Sequence, residues 1–196
     1  MANPDRPNGF SPAKSMIGAA WNSLVREYTA GDRTGDTVND HGDIYIGDPV
    51  KLIAGGAFPA DSGDVVIGVV VGVGTTGTTT FGPTGYFNPD NLMQQYLPAG
   101  TAGIVAVVPA EGVLFEVQTA GILALVTGGV ADHDVTAAID HGSQVTGQSN
   151  AQLVASANSD VTVVEQLDSV NNDTALANSR YLVKFNRTAN PINANA

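Results

Sequence analysis

The side chains in this chain best suited to chemistry are three histidines and the carboxylates beside two of them. They occur as His41, as Asp132-His133-Asp134 and as Asp140-His141. This pattern is compatible with a catalytic base or with a divalent-cation site. However, no Gly-x-Ser-x-Gly elbow places a nucleophile beside a base, and the spacing matches neither an EF-hand loop nor HExxH. We therefore favour exposed histidines in solvated turns, with a cation site as the weaker alternative.

The remaining candidates are glycines and one lysine. The spacings Gly68-x-x-x-Gly72 and Gly72-Val73-Gly74 also occur in phosphate loops, but no Lys-Ser/Thr pair follows and the flanks are β-prone. We interpret these glycines as points of curvature in a strand. Lys51 is close in sequence to Asp48, yet we expect it to be solvated. The chain has no cysteine, which excludes thiolate chemistry. These residues predict no catalytic residue, no metal and no cofactor. They do not exclude an enzyme, but none of them requires one.

The charge balance limits the partners. The chain has 19 acidic and 8 basic residues and a formal net charge of −11. Such a surface repels phosphate backbones and anionic lipids, so we expect no nucleic acid and no membrane as partner. No apolar run approaches the roughly 20 residues of a spanning helix, and the polar N-terminal residues lack a signal-peptide core. We therefore expect the protein to be made and kept in a cytoplasm.

The elements are organised around two apolar runs, residues 104–108 and 113–117, separated by a Pro-Ala-Glu-Gly turn. Both are rich in branched side chains, which favours strands. In the second run Val113, Phe115 and Val117 alternate with polar Glu116 and Gln118, which predicts one buried face and one wet face. The first run is apolar throughout, so we expect it to be buried on both faces.

Further strand-like runs lie at residues 44–54, 64–73, 153–154, 161–167 and 181–185, separated by glycine-rich and polar loops. In the first of them Pro49 indicates an edge strand or a bulge. The pattern predicts an all-β, single-domain fold, either a β-barrel or a jelly-roll-like core, at residues 43–187. We expect residues 1–42 to form an extended N-terminal arm and loop, and residues 188–196 to form a flexible tail. The arm is either pinned to its own domain or laid across a neighbour.

Several short motifs follow one another in order. After the Pro/Asn/Gly-rich arm come GDPVKL at 47–52, GVVVGV at 68–73, YLPAGT at 96–101, AVVP at 106–109, LFEVQ at 114–118 and YLVKFN at 181–186. This order, from the arm to Asn186, resembles a family of tailed-bacteriophage virion proteins that decorate or cement the capsid. The segment 131–149 departs from the family pattern.

The resemblance implies a non-enzymatic structural protein on the outer surface of a bacteriophage capsid, assembled in the host cytoplasm. Its partners would be the major capsid protein and copies of itself, as a homotrimer or alternatively a homodimer. Prolines reduce the conformational entropy that a free segment loses on binding, and aromatic rings often anchor interfaces. We therefore expect the capsid or subunit interface to include Pro4, Pro7, Phe10, Pro12, Trp21, Tyr86 and Phe87. Removal of residues 2–20 should then weaken capsid binding and leave the core folded.

The alternative is a head fibre or a virion protein that binds glycans on the host surface. Its contact surface would be the loop at 74–91, which carries Phe81, Tyr86 and Phe87. Packing between subunits is the simpler explanation of these rings, because aromatic residues are enriched at interfaces generally. Glycan binding that is lost in Tyr86→Ala and Phe87→Ala would favour the alternative.

Overall fold

A computed structural model describes residues 3–31, 41–75, 96–101, 103–123, 125–134, 141–155, 157–167 and 172–188. These residues form thirteen strands and a single 3-10 turn at Trp21–Leu24. The strands are β1 Ser11–Ser15, β2 Arg26–Thr29, β3 Ile44–Tyr45, β4 Pro49–Ile53, β5 Gly56–Pro59, β6 Gly68–Thr75, β7 Tyr96–Leu97, β8 Gly103–Pro109, β9 Val113–Gln118, β10 Val130–Asp134, β11 Gln152–Val154, β12 Val161–Gln166 and β13 Arg180–Phe185.

The strands are arranged in two main sheets and one small one. A six-stranded sheet has the order β1-β9-β13-β12-β10-β11, a five-stranded sheet has the order β2-β8-β6-β4-β5, and β3 pairs with β7 alone. The all-β prediction is confirmed. The sheets are open and stacked like a sandwich, which favours the jelly-roll-like alternative over a closed barrel.

The five-stranded sheet is buried on both faces. Val69 and Val108 face the six-stranded sheet and join one core with Phe115 and Val183. On the opposite face Val50, Val70, Val105 and Val107 belong to a second core. Just beyond the end of β2, Ala30 forms an isolated bridge to Ala57 of β5, at the opposite edge of this sheet. The prediction that the run at 104–108 is buried on both faces is confirmed for all but Ile104, which is half-buried.

Glycine and proline act as expected at one position and not at another. The pairing of β6 with β8 shifts register between Val70 and Gly72, so the glycine-rich run does mark a bulge in a strand. Pro49, however, begins β4, which pairs with both β5 and β6. The prediction of an edge strand or bulge there is wrong, because a proline at the first position of an inner strand costs no ladder hydrogen bond.

The N-terminal residues are built into the domain. The side chain of Asn3 donates to the carbonyl oxygens of Asp173 and Ala177, at 2.8 and 2.9 Å. Further along, β1 pairs antiparallel with β9 and forms the edge of the six-stranded sheet. The residues described at 3–31 are therefore pinned to their own domain, one of the two alternatives that the sequence allows.

This N-terminal segment also covers Gln118, which we predicted on the wet face of β9. The Gln118 side chain accepts from the backbone N–H of Arg6 at 3.1 Å and donates to the carboxylate of Asp5 at 3.0 Å. Gln118 is therefore buried, and the prediction of a wet position is wrong. The reason is that a segment more than a hundred residues away in sequence supplies its polar partners.

Candidate functional site

The residues expected at an interface occupy different environments. Pro4 is exposed, Pro7, Pro12 and Trp21 are half-buried, and Phe10 is 1% exposed. The Phe10 ring lies 4.9 Å from that of Phe185, so Phe10 is a core residue of its own chain rather than a free anchor. Tyr86 and Phe87 lie outside the described residues. Since Phe10 fills the core, we no longer expect removal of residues 2–20 to leave the core folded.

A close backbone contact fixes the position of Phe10. Its N–H donates to the carbonyl oxygen of Gly47 at 2.9 Å. Gly9 has a φ of +63°, and a Cβ at this position would lie 2.5 Å from the same oxygen. A residue without a side chain is therefore needed there, both for the positive φ and for the close approach of the two segments.

An exposed apolar surface follows β1 directly. Met16 is 52% exposed and Ile17 67% exposed, and the N–H of Met16 donates to the carbonyl of Gly112 at 2.8 Å. Downstream, Trp21 and Leu24 lie partly buried against the core between the sheets. We call residues 16–21 the Met16 segment. Its backbone is anchored at Met16, and the side chains of Met16 and Ile17 face solvent, which is the character of a contact surface.

The neighbouring edge of β1 is poorly suited to pairing with another strand. It contains Pro12, which lacks an N–H, and exposed Lys14, and its register shifts between these two residues. Proline, lysine and bulges on an edge strand all oppose strand addition. A partner on this side of the molecule would therefore contact the side chains of the Met16 segment rather than extend the sheet.

All three histidines are buried: His41, His133 and His141. The prediction of exposed histidines in solvated turns is wrong. Asp132 and Asp160 are buried as well. The local sequence gives no clear signal of this burial. Residues 130–134 form a strand, but two aspartates and a histidine among these five residues hide the strand pattern.

His133 lies between the sheets, in contact with Asp160. Its Nε2–H donates to the carbonyl of Ala60, at 3.1 Å. Its Nδ1 is 3.1 Å from Oδ2 of Asp160 but has no hydrogen-bond partner. Burial lowers the pKa of His133 below its ordinary value despite the opposing charge of Asp160. The imidazole is therefore neutral at pH 7, and its nitrogens have no access to a substrate.

The two carboxylates beside His133 are saturated with donors. Asp160 accepts from the hydroxyl of Ser62 at 2.8 Å and from the N–H of Gly63 at 3.0 Å. Asp132 accepts from the N–H groups of Ala157, Asn158 and Asp160, at 2.6, 2.7 and 3.2 Å. Carboxylates with this many hydrogen bonds hold loops in place and are not available as general bases.

His141 lies against another buried carboxylate, near the small β3–β7 sheet. Its Nε2 is 3.1 Å from Oδ2 of Asp48, and the negative charge of Asp43 also acts on the ring. Asp48 Oδ2 accepts from the N–H of Tyr45 at 2.7 Å, while Oδ1 has no partner. Burial lowers the pKa of His141, but the hydrogen bond and charge of Asp48 outweigh it, and the net pKa is raised.

The Tyr45 ring is at the centre of this cluster. It stacks on Tyr96 with centroids 5.1 Å apart, and the His141 ring meets its edge at the same distance. The Tyr45 hydroxyl donates to Oδ2 of Asp43 at 3.0 Å. Burial and the neighbouring Asp43 raise the pKa of Tyr45, so the phenol stays neutral in the physiological range.

His41 closes the other side of β3. Its Nδ1 lies 2.7 Å from the carbonyl oxygen of Gly42 and its Nε2 lies 2.9 Å from that of Thr101. Both neighbours are carbonyl acceptors. The ring therefore connects the start of β3 to the turn after β7.

Lys51 was expected to be solvated, but it is paired. Its Nζ donates to Oδ2 of Asp64 at 2.6 Å, and both side chains are partly exposed. The prediction of a solvated lysine is therefore wrong. The partner is Asp64, thirteen residues away, rather than the neighbouring Asp48, because the antiparallel strands β4 and β6 bring these two segments together.

The described residues contain no group of three or more His, Cys, Asp or Glu side chains that could hold a metal ion. A shallow depression beside the N-terminal segment is lined in part by Arg6, Glu116 and Arg180, but Arg180 is already bound to Glu116 at 2.7 Å. Within the described part of the chain, no helix is long and apolar enough to cross a membrane.

Comparison with known protein families, with curated proteins and with solved structures gives no match to this chain.

Proposed function

We propose that this protein is a non-enzymatic virion structural protein that binds the outside of a bacteriophage capsid and stabilises it by bridging capsid subunits. The observation that carries the proposal is the ordered series of motifs from the N-terminal segment to Asn186, which resembles that of capsid decoration proteins. The proposed partners are the major capsid protein and further copies of the chain, as a homotrimer or alternatively a homodimer.

The character of the polar clusters supports a structural role. The buried pairs His133–Asp160 and His141–Asp48 connect segments that are distant in sequence. Their polar atoms are largely committed to backbone groups of neighbouring loops. A rigid, acidic β-sandwich whose chemistry-bearing side chains hold the fold is suited to permanent association by surface contact.

The Met16 segment is the surface that we assign to this contact. Exposed Met16 and Ile17 provide adaptable apolar area, and their anchored backbone reduces the ordering cost of binding. Trp21 is half-buried, and tryptophan is one of the residue types enriched among binding hot spots.

The test is co-sedimentation of the purified protein with empty shells of the major capsid protein encoded in the same genome. We expect saturable binding and shells that survive a higher temperature. Ile17→Asp should weaken binding at least tenfold, because it places a charge in a desolvated contact. Val65→Asp is the matched control. Val65 is also an exposed β-branched side chain, at 50%, but it lies between β5 and β6.

Failure of the unaltered protein to bind shells would contradict the proposal and favour the head-fibre or glycan-binding alternative. Binding that is equally strong in Ile17→Asp and in the unaltered protein would keep the capsid role and reject the Met16 segment as its contact surface.

A further inference from the structure

The segment 141–150 forms a hairpin with an exposed tip. Gly142 bridges to Ser149, and the tip carries Val145, which is 87% exposed. The buried residues of the hairpin are His141, Gly142, Gly147 and Ser149, so it contributes no large apolar side chain to either core. Segments with little apolar burial open at low free energy.

Two groups of contacts attach this hairpin to residues 45–48. The first is a short backbone ladder, in which Ile46 N–H donates to Gly147 O at 2.9 Å and Ser149 N–H donates to Ile46 O at 2.8 Å. The second is the contact between His141 Nε2 and Asp48 Oδ2 at 3.1 Å. The side chain of Gln144 adds a longer, exposed hydrogen bond to Asp43 at 3.3 Å.

We propose that the proton on His141 clamps the 141–150 hairpin to the turn that contains Asp48, and that loss of this proton as the pH rises releases the hairpin. The inference stands apart from the capsid role, because it concerns the chain alone. Asp48 is completely buried, and one of its oxygens has no partner. The imidazolium of His141 is therefore the charge that makes burial of this carboxylate tolerable.

Deprotonation of His141 removes the positive charge that faces Asp48 Oδ2. A neutral imidazole has one N–H. If that proton lies on Nδ1, Nε2 presents a lone pair to Asp48 Oδ2 and leaves the N–H of Tyr45 as donor to this oxygen. If the proton lies on Nε2, the hydrogen bond remains but is no longer assisted by charge. Both forms weaken the contact that attaches the hairpin.

The surrounding titratable groups do not replace this proton. Asp48 faces His141 from the turn before β4, and Asp43 and Tyr45 face it from the β3 side. Both aspartates favour the charged ring. Tyr45 stays neutral because its pKa is raised, and Tyr96 of β7 lies on Tyr45 by ring stacking.

The direction of the pH effect follows from linkage. The pKa of His141 is raised in the folded chain above its ordinary value of 6.5. The clamp is thus at full strength below pH 6.5, and it is lost as the pH rises through the folded pKa. Between the two pKa values the equilibrium constant for opening should rise about tenfold per pH unit.

The test is amide hydrogen exchange of the unaltered chain between pH 6.0 and 8.5, corrected for the intrinsic exchange rate. We expect protection of the Ile46 and Ser149 amides to fall with that slope, while Phe115 and Val183 in the sandwich core stay unchanged. Asp48→Asn should abolish the dependence, and Asp61→Asn, at an exposed position, is the matched control that should retain it.

A second measurement needs no variant. The imidazole signals of His141 in the unaltered chain, followed by NMR, should titrate above 6.5. A midpoint at or below 6.5, or protection of Ile46 and Ser149 that does not change with pH, would overturn the proposal. The same dependence in Asp48→Asn as in the unaltered chain would also overturn it.

Discussion

The rings of Phe10 and Phe185 lie 4.9 Å apart in the core between the two sheets. Phe185 in turn contacts Phe115 at 5.6 Å and His133 at 5.9 Å. One residue of the N-terminal segment therefore completes an aromatic group whose other members come from β9, β10 and β13. The N-terminal segment is part of the core, and its loss should be measured in stability as well as in binding.

Phe10→Ala should destabilise the fold by about 3–5 kcal/mol, because it leaves a cavity among rings that cannot collapse into it. Urea unfolding at pH 7 measures this. Ile17→Ala is the control, since Ile17 is mostly exposed and its truncation should cost less than about 0.5 kcal/mol. Equal effects of the two substitutions would contradict the core position of Phe10.

Gly142→Ala should destabilise the fold by about 1–3 kcal/mol through overpacking. A Cβ at this position would clash with the ring of Tyr45, which is itself held between Tyr96 and His141. Thermal unfolding compares it with Gly121→Ala, where a Cβ meets nothing within 4 Å. A melting temperature that falls no further in Gly142→Ala than in Gly121→Ala would show that the Tyr45 ring is free to move.

Asp132→Asn should lower the free energy of unfolding by about 1.5–3 kcal/mol, which is the contribution of one hydrogen bond to a charged acceptor. The amide nitrogen of the new side chain cannot accept from the N–H groups of Ala157 and Asn158, which now share Oδ2. Chemical denaturation measures the loss, with Asp61→Asn as the exposed control. The contrary result is a loss of the same size in both variants.

His133 should destabilise the fold on acidification. Burial lowers its pKa in the folded chain below 6.5. Below about pH 6.5 His133 is therefore protonated more readily in the unfolded chain than in the folded chain, which lowers the free energy of unfolding. The free energy of unfolding of His133→Gln should therefore fall less between pH 7 and 5 than that of the unaltered protein. An identical fall in both would mean that His133 is protonated in the folded state. This response is opposite in sign to that of His141.

Local sequence patterns predicted the inner strands well. Residues 113–118 are a strand in full, the strand-like run at 161–167 contains β12, and β13 extends the run at 181–185 by one residue, Arg180. These segments succeed because branched and aromatic side chains report burial within a few residues of themselves. The glycine bulge near Gly72 belongs to the same class, since the freedom of glycine is a property of one position.

The two N-terminal edge strands were not predictable in this way. β1 and β2 have the sequences SPAKS and REYT, which show no apolar alternation, and we interpreted the whole segment as an extended arm and loop. They are strands because β9 and β8 offer free edges with which they pair. Backbone hydrogen bonds to a neighbouring strand do not require a particular side chain. The local sequence therefore does not indicate that these two segments are strands.

Composition and local pattern by themselves determined an all-β chain, acidic and free of cysteine, with its central strands at 103–118. Only the tertiary structure decided that the histidines are buried and the N-terminal segment is part of the core. His141 meets Asp48 from 93 residues away, and Ser62 meets Asp160 from 98 residues away. A polar side chain is buried only where distant segments supply its partners, and that condition is a property of the folded chain.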